Sequence, residues 1–198
     1  CLPAYGDEVV SVDMSATGNR ILMISTSKPA TLPEEAAWPS DSRALNVLDL
    51  GETQTTRHLA TTWEATDVLQ PYATAEEGES PSRGVALDET MAEVQMDDAG
   101  NRFVLAVNRR DVGTGYAKLY TGTVPAEGSA SFTPEGGELA LVALNQTGGS
   151  EPIQSFALSP DGNKVAAAVG AQAELRVMDL SSPENGLSVY ETNKDGKG

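Results

Sequence analysis

One fifteen-residue pattern occurs three times in this chain, at residues 10–24, 92–106 and 154–168. The three copies align without gaps, and each has Gly-Asn followed by Arg or Lys between two apolar-rich segments. The first segment alternates apolar and other residues, which is typical of a strand with one buried face, and the second is nearly all apolar, which is typical of a strand covered on both faces. Glycine supplies the positive φ that a tight turn requires. The predicted turns are those at Gly18, Gly100 and Gly162.

The first strand of each copy is expected to bury alternate apolar residues. A helical interpretation fails because Gly-Asn interrupts every copy, and neither flank is long enough to form a stable helix alone. The residues predicted to be buried are Val10, Val12 and Met14 in the first copy, Val94 and Met96 in the second, and Phe156 and Leu158 in the third.

A third and a fourth strand are predicted to follow in each copy. Residues 44–50 match residues 174–180, and both segments end in Asp-Leu, at Asp49 and Asp179. The middle copy has a degenerate counterpart at residues 116–121. Four antiparallel strands in meander order form one blade of a β-propeller. The predicted fourth strands are residues 55–61, 129–133 and 187–192.

The third copy resembles a WD40-like repeat of the bacterial TolB-type propeller family. The resemblance lies in residues 156–166, which contain the Ser-Pro-Asp-Gly turn, and in residues 175–180. The other two copies keep the Gly-Asn pair, the basic residue after it and the apolar frame. The resemblance implies an all-β fold, an incomplete propeller of about three blades, in which Asp49 and Asp179 hydrogen-bond a neighbouring turn. It implies a binding surface rather than an activity.

Long insertions separate the repeats. The spacing from Gly18 to Gly100 and from Gly100 to Gly162 exceeds the roughly 40–45 residues of a WD40-type blade. The excess is predicted to form surface loops, which are often functional. The predicted organisation is a tether (1–8), a propeller-like domain (9–192) with units of about 9–61, 91–133 and 153–192 and insert loops 28–43, 62–90 and 134–152, and a flexible tail (193–198).

The only cysteine of the chain is Cys1. A chain that starts with Cys resembles a mature bacterial lipoprotein, in which that residue carries a diacylglycerol on its sulfur and an acyl chain on its amine. Two or three acyl chains give stable anchoring where one chain would not. The resemblance implies that Cys1 is the lipidation site. Because Leu2 rather than Asp follows it, the expected location is the outer membrane, with the domain periplasmic or surface-exposed.

The charge balance limits the classes of partner. The chain has 13 Lys and Arg against 29 Asp and Glu, a formal net charge of −16. Such a chain repels phosphate backbones and anionic headgroups, so we expect no nucleic-acid partner and no membrane contact other than the lipid on Cys1. A partner attracted by charge is expected to present Lys and Arg.

No catalytic motif is found in the sequence. The single histidine, His58, excludes H-E-x-x-H, and no G-x-S-x-G accompanies it. We therefore expect no enzymatic activity, no metal site and no cofactor. The leading hypothesis is a structural or protein-interaction subunit of an envelope or cell-surface assembly.

Two alternatives remain open at this stage. One is a metal-dependent ligand-binding or lactonase-like propeller enzyme, which needs inward-facing carboxylates around a metal. The other is a solenoid or sandwich that stabilises a filament surface. The carboxylates that the enzyme hypothesis would use are those of Asp13, Asp49, Asp97 and Asp179.

Three blades are too few to close a propeller, which normally has about four to eight. Either a degenerate blade lies within residues 62–90, or the remaining blades belong to another chain or to a longer protein. The second strands, 21–24, 103–107 and 165–169, are expected to be only partly covered. We therefore predict that a protein partner, either a second copy or the rest of a larger propeller, completes the sheet edges.

Overall fold

The structure, a computed structural model, describes residues 8–26, 42–51, 55–61, 89–109, 117–124, 140–142, 152–170, 174–182 and 187–190. Within these ranges every regular element is a β-strand, and the strands form three four-stranded antiparallel sheets. The predicted all-β fold of repeated meanders is therefore confirmed.

Each sheet is a simple meander in which strands adjacent in sequence are adjacent in space. We call the three sheets blades 1, 2 and 3. Blade 1 consists of β1 (Val9–Met14), β2 (Arg20–Ser25), β3 (Ala44–Asp49) and β4 (Thr55–Thr61). Blade 2 consists of β5 (Glu89–Met96), β6 (Arg102–Arg109), β7 (Ala117–Thr123) and β8 (Ala140–Val142). Blade 3 consists of β9 (Ile153–Leu158), β10 (Lys164–Val169), β11 (Glu174–Asp179) and β12 (Leu187–Tyr190).

The blades pack face to face in chain order, as in a propeller. The first strand of blade 2, β5, contacts both β1 and β9, so the first strands of the three blades lie side by side. One apolar core joins blades 1 and 2, and a second joins blades 2 and 3. We call the face of a blade that points to the next blade along the chain its forward face, and the opposite face its backward face. The described strands do not close into a ring.

The fourth strand of blade 2 differs from its prediction. It is β8, Ala140–Val142, which pairs with β7 through Leu119 opposite Val142. The predicted insert loop 134–152 is therefore wrong for residues 140–142, because Val142 is buried in the core between blades 2 and 3. The fourth strand predicted at residues 129–133 lies outside the described residues.

Most of the predicted insertions also lie outside the described residues. Residues 89 and 90, which were assigned to the second insertion, belong to β5. The undescribed parts of the insertions are residues 28–41, 62–88, 134–139 and 143–151.

The second strands are better covered than the sequence indicates. Leu22 and Ile24 of β2 and Phe103 of β6 are fully buried, so the expectation of partial cover is wrong for blades 1 and 2. The reason is that β5 contacts both β1 and β9, while the second strands lie inside their sheets with a neighbouring strand on each side. Partial cover is found at Ile21 of β2 and on the forward face of β10, where Ala166 and Ala168 are half-buried.

Blade 2 contains a close approach that requires glycine. Gly122 lies opposite Phe103 in the β6–β7 ladder, and a Cβ at Gly122 would overlap the Phe103 ring. We expect Gly122→Ala to lower the free energy of unfolding by about 1–3 kcal/mol, because Phe103 is fully buried and has no room to move. Urea unfolding measures this loss.

A double variant tests the cause. Leucine at position 103 removes the ring edge, so Phe103→Leu combined with Gly122→Ala should be less destabilised than the sum of the two single variants. Strict additivity would show that the ring is not the source of the loss.

Candidate functional site: the blade junctions and the backward face of blade 1

The three repeated turns have the same backbone. Gly18, Gly100 and Gly162 have φ of 73°, 69° and 68°. In each turn the glycine N–H donates to the carbonyl three residues earlier, at 2.8, 2.9 and 2.8 Å. These angles lie in the left-handed region, which glycine adopts without steric cost. The turns therefore place the basic residue that follows them at the same position in every blade.

The side chain that opens each turn also fixes the basic residue. In blade 2, Asp97 Oδ1 accepts hydrogen bonds from the N–H groups of Asn101 (2.7 Å) and Arg102 (2.9 Å). In blade 3, Ser159 Oγ accepts from Lys164 N at 2.9 Å. Ser159 Oγ also donates to Asp161, and this bond, with that from Asn163 N, lowers the pKa of the Asp161 carboxyl.

The basic residue of one blade binds the turn of the next. Arg20 Nη1 donates to the Gly100 carbonyl at 2.7 Å. Arg102 Nη1 donates to the Gly162 carbonyl at 3.3 Å and to Asn163 Oδ1 at 2.9 Å. The same arginine position therefore clamps both junctions. The repeated Gly-Asn-basic sequence carries this contact, which sequence reasoning did not identify as one between blades.

The two third-strand aspartates have different roles. Asp49 is 2% exposed and pairs with Arg20 of its own blade, Oδ1 to Nε, at 2.7 Å, which orients the guanidinium toward blade 2. Asp179 instead accepts hydrogen bonds from Ser181 Oγ (2.6 Å) and Ser181 N (2.9 Å), and these bonds lower the pKa of its carboxyl. These contacts of Asp179 lie within its own blade.

Backbone hydrogen bonds connect the turns directly. Ala16 N donates to the Asp98 carbonyl at 3.0 Å, and Asp98 N donates to the Pro160 carbonyl at 2.9 Å. The equivalent position in the third turn is Pro160 itself, which has no N–H to donate. The row of turn-to-turn bonds therefore runs in one direction, from blade 1 to blade 3.

Polar side chains of the first strands form a second set of links. Asp13 Oδ2 accepts from Met96 N at 2.7 Å, and Ser11 Oγ accepts from Val94 N at 3.3 Å. Gln95, at the position equivalent to Asp13, accepts from Leu158 N at 3.1 Å and donates to the Phe156 carbonyl at 3.0 Å. Nothing in the sequence distinguished Ser11 and Gln95 from ordinary exposed strand residues.

The apolar residues that alternate with these polar ones point to the preceding blade. Val94, Met96 and Phe156 are buried there, at 2%, 7% and 6% exposure. Their equivalents in blade 1, Val12 and Met14, are exposed at 60% and 56%. The predicted burial is therefore confirmed for Val94, Met96 and Phe156, while Leu158 is half-buried.

The predicted burial of Val10, Val12 and Met14 is wrong. These residues lie on β1, at the backward face of blade 1, and are 37%, 60% and 56% exposed, whereas Met23 of β2 and Leu48 of β3 on the same face are buried. Met14 N shows the same difference, because it donates to Asp13 Oδ1 of its own strand, whereas Met96 N and Leu158 N donate to the preceding blade. β1 therefore has the apolar pattern of the first strands that pack on a preceding blade, but its apolar side chains are exposed.

The predicted lipidation site, Cys1, lies outside the described residues. Among the residues that the structure describes, no group of three or more His, Cys, Asp or Glu is placed to hold a metal ion. No helix in the described part of the chain is long and apolar enough to cross a membrane.

The chain is similar in fold to β-propeller structures of low sequence identity. It resembles the C-terminal WD40 domain of Sif2 (12% identity, TM-score 0.45), a putative TolB from Agrobacterium tumefaciens (14%, 0.45) and the periplasmic gluconolactonase PpgL of Pseudomonas aeruginosa (11%, 0.42). The matches cover 95%, 96% and 93% of this chain but only 38%, 48% and 44% of those chains, so it spans less than half their length. No protein-family model and no curated protein sequence matches it.

The turn glycines offer a test of the junctions. A Cβ at Gly100 would lie 3.1 Å from Arg20 Cδ and one at Gly162 would lie 3.0 Å from Arg102 Cδ, whereas one at Gly18 meets nothing within 4 Å. Alanine at any of the three positions is expected to cost about 1–2 kcal/mol through left-handed strain. Gly100→Ala and Gly162→Ala should lose about 1 kcal/mol more, because they also push on the clamping arginine.

Gly18→Ala is the matched control for these two variants. All three are compared by urea unfolding at the same dilute chain concentration. Equal losses for the three glycines would contradict the clamp geometry.

The Arg20–Asp49 pair offers another test. Asp49→Ala leaves a nearly buried guanidinium without its carboxylate, so we expect a loss of about 3–5 kcal/mol in the free energy of unfolding. Asp179→Ala, at the equivalent position of blade 3, is the control and should have little effect, because Asp179 is more exposed and its charge interaction is with the exposed Lys164. Thermal melting compares the stability of the two variants. A comparable loss of stability in both would show that the Arg20–Asp49 pair contributes no more than the hydrogen bonds of Asp179.

Proposed function

We propose that this protein is a non-catalytic interaction subunit of a bacterial envelope or cell-surface assembly, anchored through lipid on Cys1. The observation that carries the proposal is the exposure of Val10, Val12 and Met14 on the backward face of blade 1. In blades 2 and 3 the equivalent apolar residues are buried in the contact with the preceding blade of the same chain.

The physical argument is that this face has the composition of an interface. The same positions in blade 2 exclude water from an apolar core, and burial of apolar surface stabilises such contacts by roughly 25 cal/mol per Å². Neighbouring exposed apolar residues on a soluble domain mark interaction sites. A polypeptide that packs on the exposed apolar residues of β1 would be stabilised in the same way.

A catalytic role draws no support from the described carboxylates. Each of the four carboxylates that the enzyme hypothesis would use accepts a hydrogen bond within the blades. Asp13 accepts from the first strand of blade 2 and Asp49 from Arg20 of its own blade. The other two, Asp97 and Asp179, accept from their own turns. Among the described residues no three such groups are placed to hold a metal ion, and these hydrogen bonds belong to the blade scaffold. We therefore propose no cofactor and no metal-dependent chemistry for this protein.

The proposed partner is a protein surface. The net charge of −16 disfavours nucleic acid and anionic headgroups, so the lipid on Cys1 is the proposed contact with the membrane. We place the protein at the outer membrane, with its blades in the periplasm or at the cell surface.

The interaction is tested by charging the backward face of blade 1. Val12→Lys should abolish cross-linking of the native protein to its neighbours in the envelope, because a buried unpaired charge opposes docking. Val189→Lys is the matched control, since Val189 is 49% exposed at the outer edge of blade 3. Unchanged cross-linking of Val12→Lys, with the fold intact by circular dichroism, would refute the proposal.

The anchor is tested on the native protein. Its intact mass should exceed that of the polypeptide by two or three acyl chains, and Cys1→Ser should release it from membranes into the soluble fraction. A native chain with a free thiol on Cys1 contradicts lipid anchoring and leaves the interaction proposal untouched.

A further inference from the structure

We infer that the forward face of blade 3 packs on the same face of a second copy of this chain, in a dimer with two-fold symmetry. The inference goes beyond the proposed function, because it concerns a different blade and involves neither β1 nor the lipid on Cys1. The forward face of blade 3 is the side of its sheet that carries Lys164, Ala166 and Ala168 of β10, together with the residues level with them on β9, β11 and β12.

This face has the position of a blade junction, but it is open. Leu175 corresponds to Leu45 of blade 1 and Leu119 of blade 2, because each pairs with the last residue of its fifteen-residue repeat. Leu45 and Leu119 are 0% and 1% exposed, whereas Leu175 is 37% exposed. Tyr190, which pairs with Leu175, is 56% exposed, whereas Val142, which pairs with Leu119, is 5% exposed. No described residue on the forward face of blade 3 is buried, so the described part of this face is open to a partner.

Small and large side chains are separated on this face. The strand β10 contributes Ala166 and Ala168, and β11 contributes Val177 and Leu175 directly opposite them. In blade 1 both strands contribute large apolar residues at these positions, since β2 has leucine and isoleucine there. The forward face of blade 3 therefore has a low half on β10 and a raised half on β11.

A two-fold axis along the boundary between β10 and β11 brings the unlike halves together. Such an axis keeps each residue at its level along the strands and places β10 of one copy over β11 of the other. Ala166 then packs on Val177 of the second copy, and Ala168 packs on Leu175 of the second copy. Small side chains against large ones let two sheets interdigitate at the usual separation of about 10 Å.

The polar residues match under the same axis. Lys164 and Asp179 lie opposite each other in the β10–β11 register, so in the dimer each lysine meets the aspartate of the other copy. Ser155 on β9 and Tyr190 on β12 lie at the two ends of one row across the sheet. The axis places the serine hydroxyl of one copy at the phenol of the other, and both groups can donate and accept hydrogen bonds.

The charge of the face favours a second copy as well. Two chains that each carry a net charge of −16 repel each other through most of their surface. Within the four strands of blade 3, the only charged residues on the forward face are Lys164 and Asp179, so this face has no net charge. A neutral apolar face is where two such acidic chains can associate.

A following blade is a poorer occupant of this face. Ala157 stands at the position of Asp13 and Gln95, whose side-chain oxygens accept hydrogen bonds from the next blade. Pro160 stands at the position of Asp98, whose N–H donates to the next turn, and proline has no N–H. The polar links that join blades within the chain are therefore missing here, whereas the self-complementary pattern remains.

The test is the association of the purified Cys1→Ser chain, measured by sedimentation equilibrium over a range of concentrations. We expect a monomer–dimer equilibrium with no larger species, because a contact of one face with itself closes at two copies. Leu175→Lys should raise the dissociation constant by about tenfold or more, because the new charge is buried without a partner in the dimer.

Val189→Lys is the matched control. Val189 is 49% exposed and pairs with Arg176, on the opposite face of the same sheet, so the substitution makes the same charge change away from the contact. It should change the dissociation constant by about twofold or less, as is usual for a surface substitution. An equal effect of Leu175→Lys and Val189→Lys would contradict the proposed contact.

A charge exchange tests the two-fold axis without altering the apolar residues. Lys164→Asp alone and Asp179→Lys alone each place like charges against each other in the dimer, so each variant should dimerise more weakly than the parent chain. A mixture of the two variants restores opposite charges at both contacts and should form heterodimers. No heterodimer in the mixture would refute the two-fold axis.

The outcomes separate this inference from the proposed function. A monomer at every concentration refutes the second copy as partner, and a series of larger oligomers refutes a contact of the face with itself. Neither result bears on the proposed function, which is tested by cross-linking of Val12→Lys in the envelope.

Discussion

The fold depends on one interaction, the hydrogen bond from an arginine guanidinium of one blade to the turn carbonyl of the next. It requires a turn with no side chain at the contact, a basic residue directly after the turn, and a strand register that points this residue forward. Gly100 and Arg20 meet these conditions at the first junction, and Gly162 and Arg102 at the second. Because hydrogen bonds to charged groups are the stronger ones, the contact sets the alignment of neighbouring blades, and the apolar cores then pack in register.

The junctions run in a single direction, which makes the two ends of the molecule different. Donors and side-chain acceptors project forward from Ser11, Asp13, Ala16 and Arg20, while backbone groups and apolar side chains face backward. Blade 1 therefore presents the exposed apolar residues Val12 and Met14 on β1, and the forward face of blade 3 is half-buried at Ala166 and Ala168. The proposed interaction role rests on the exposed residues of β1 and needs no catalytic residue.

The sequence predicted the repeat because hydrophobic period and turn chemistry are local properties. Val94 and Met96 alternate as strand residues do, and the structure buries them. The same pattern wrongly predicted that Val12 and Met14 are buried, because alternation shows which face of a strand is apolar but not whether another element covers that face. The strand β8 was misplaced because three residues carry little pattern, and only pairing with Leu119 defines them. The links from Ser11 and Gln95 could not be foreseen, since they connect residues far apart in the chain.

The most direct measurement is hydrogen exchange at the backbone amides of Val12 and Met14, compared between the purified chain and the native protein in an envelope preparation. The equivalent amides of Val94 and Met96 bond to the preceding blade, and they should be protected in both samples. If a partner polypeptide docks on β1, the Val12 and Met14 amides should exchange rapidly in the purified chain and slowly in the envelope preparation. Rapid exchange of these two amides in both samples would contradict the account.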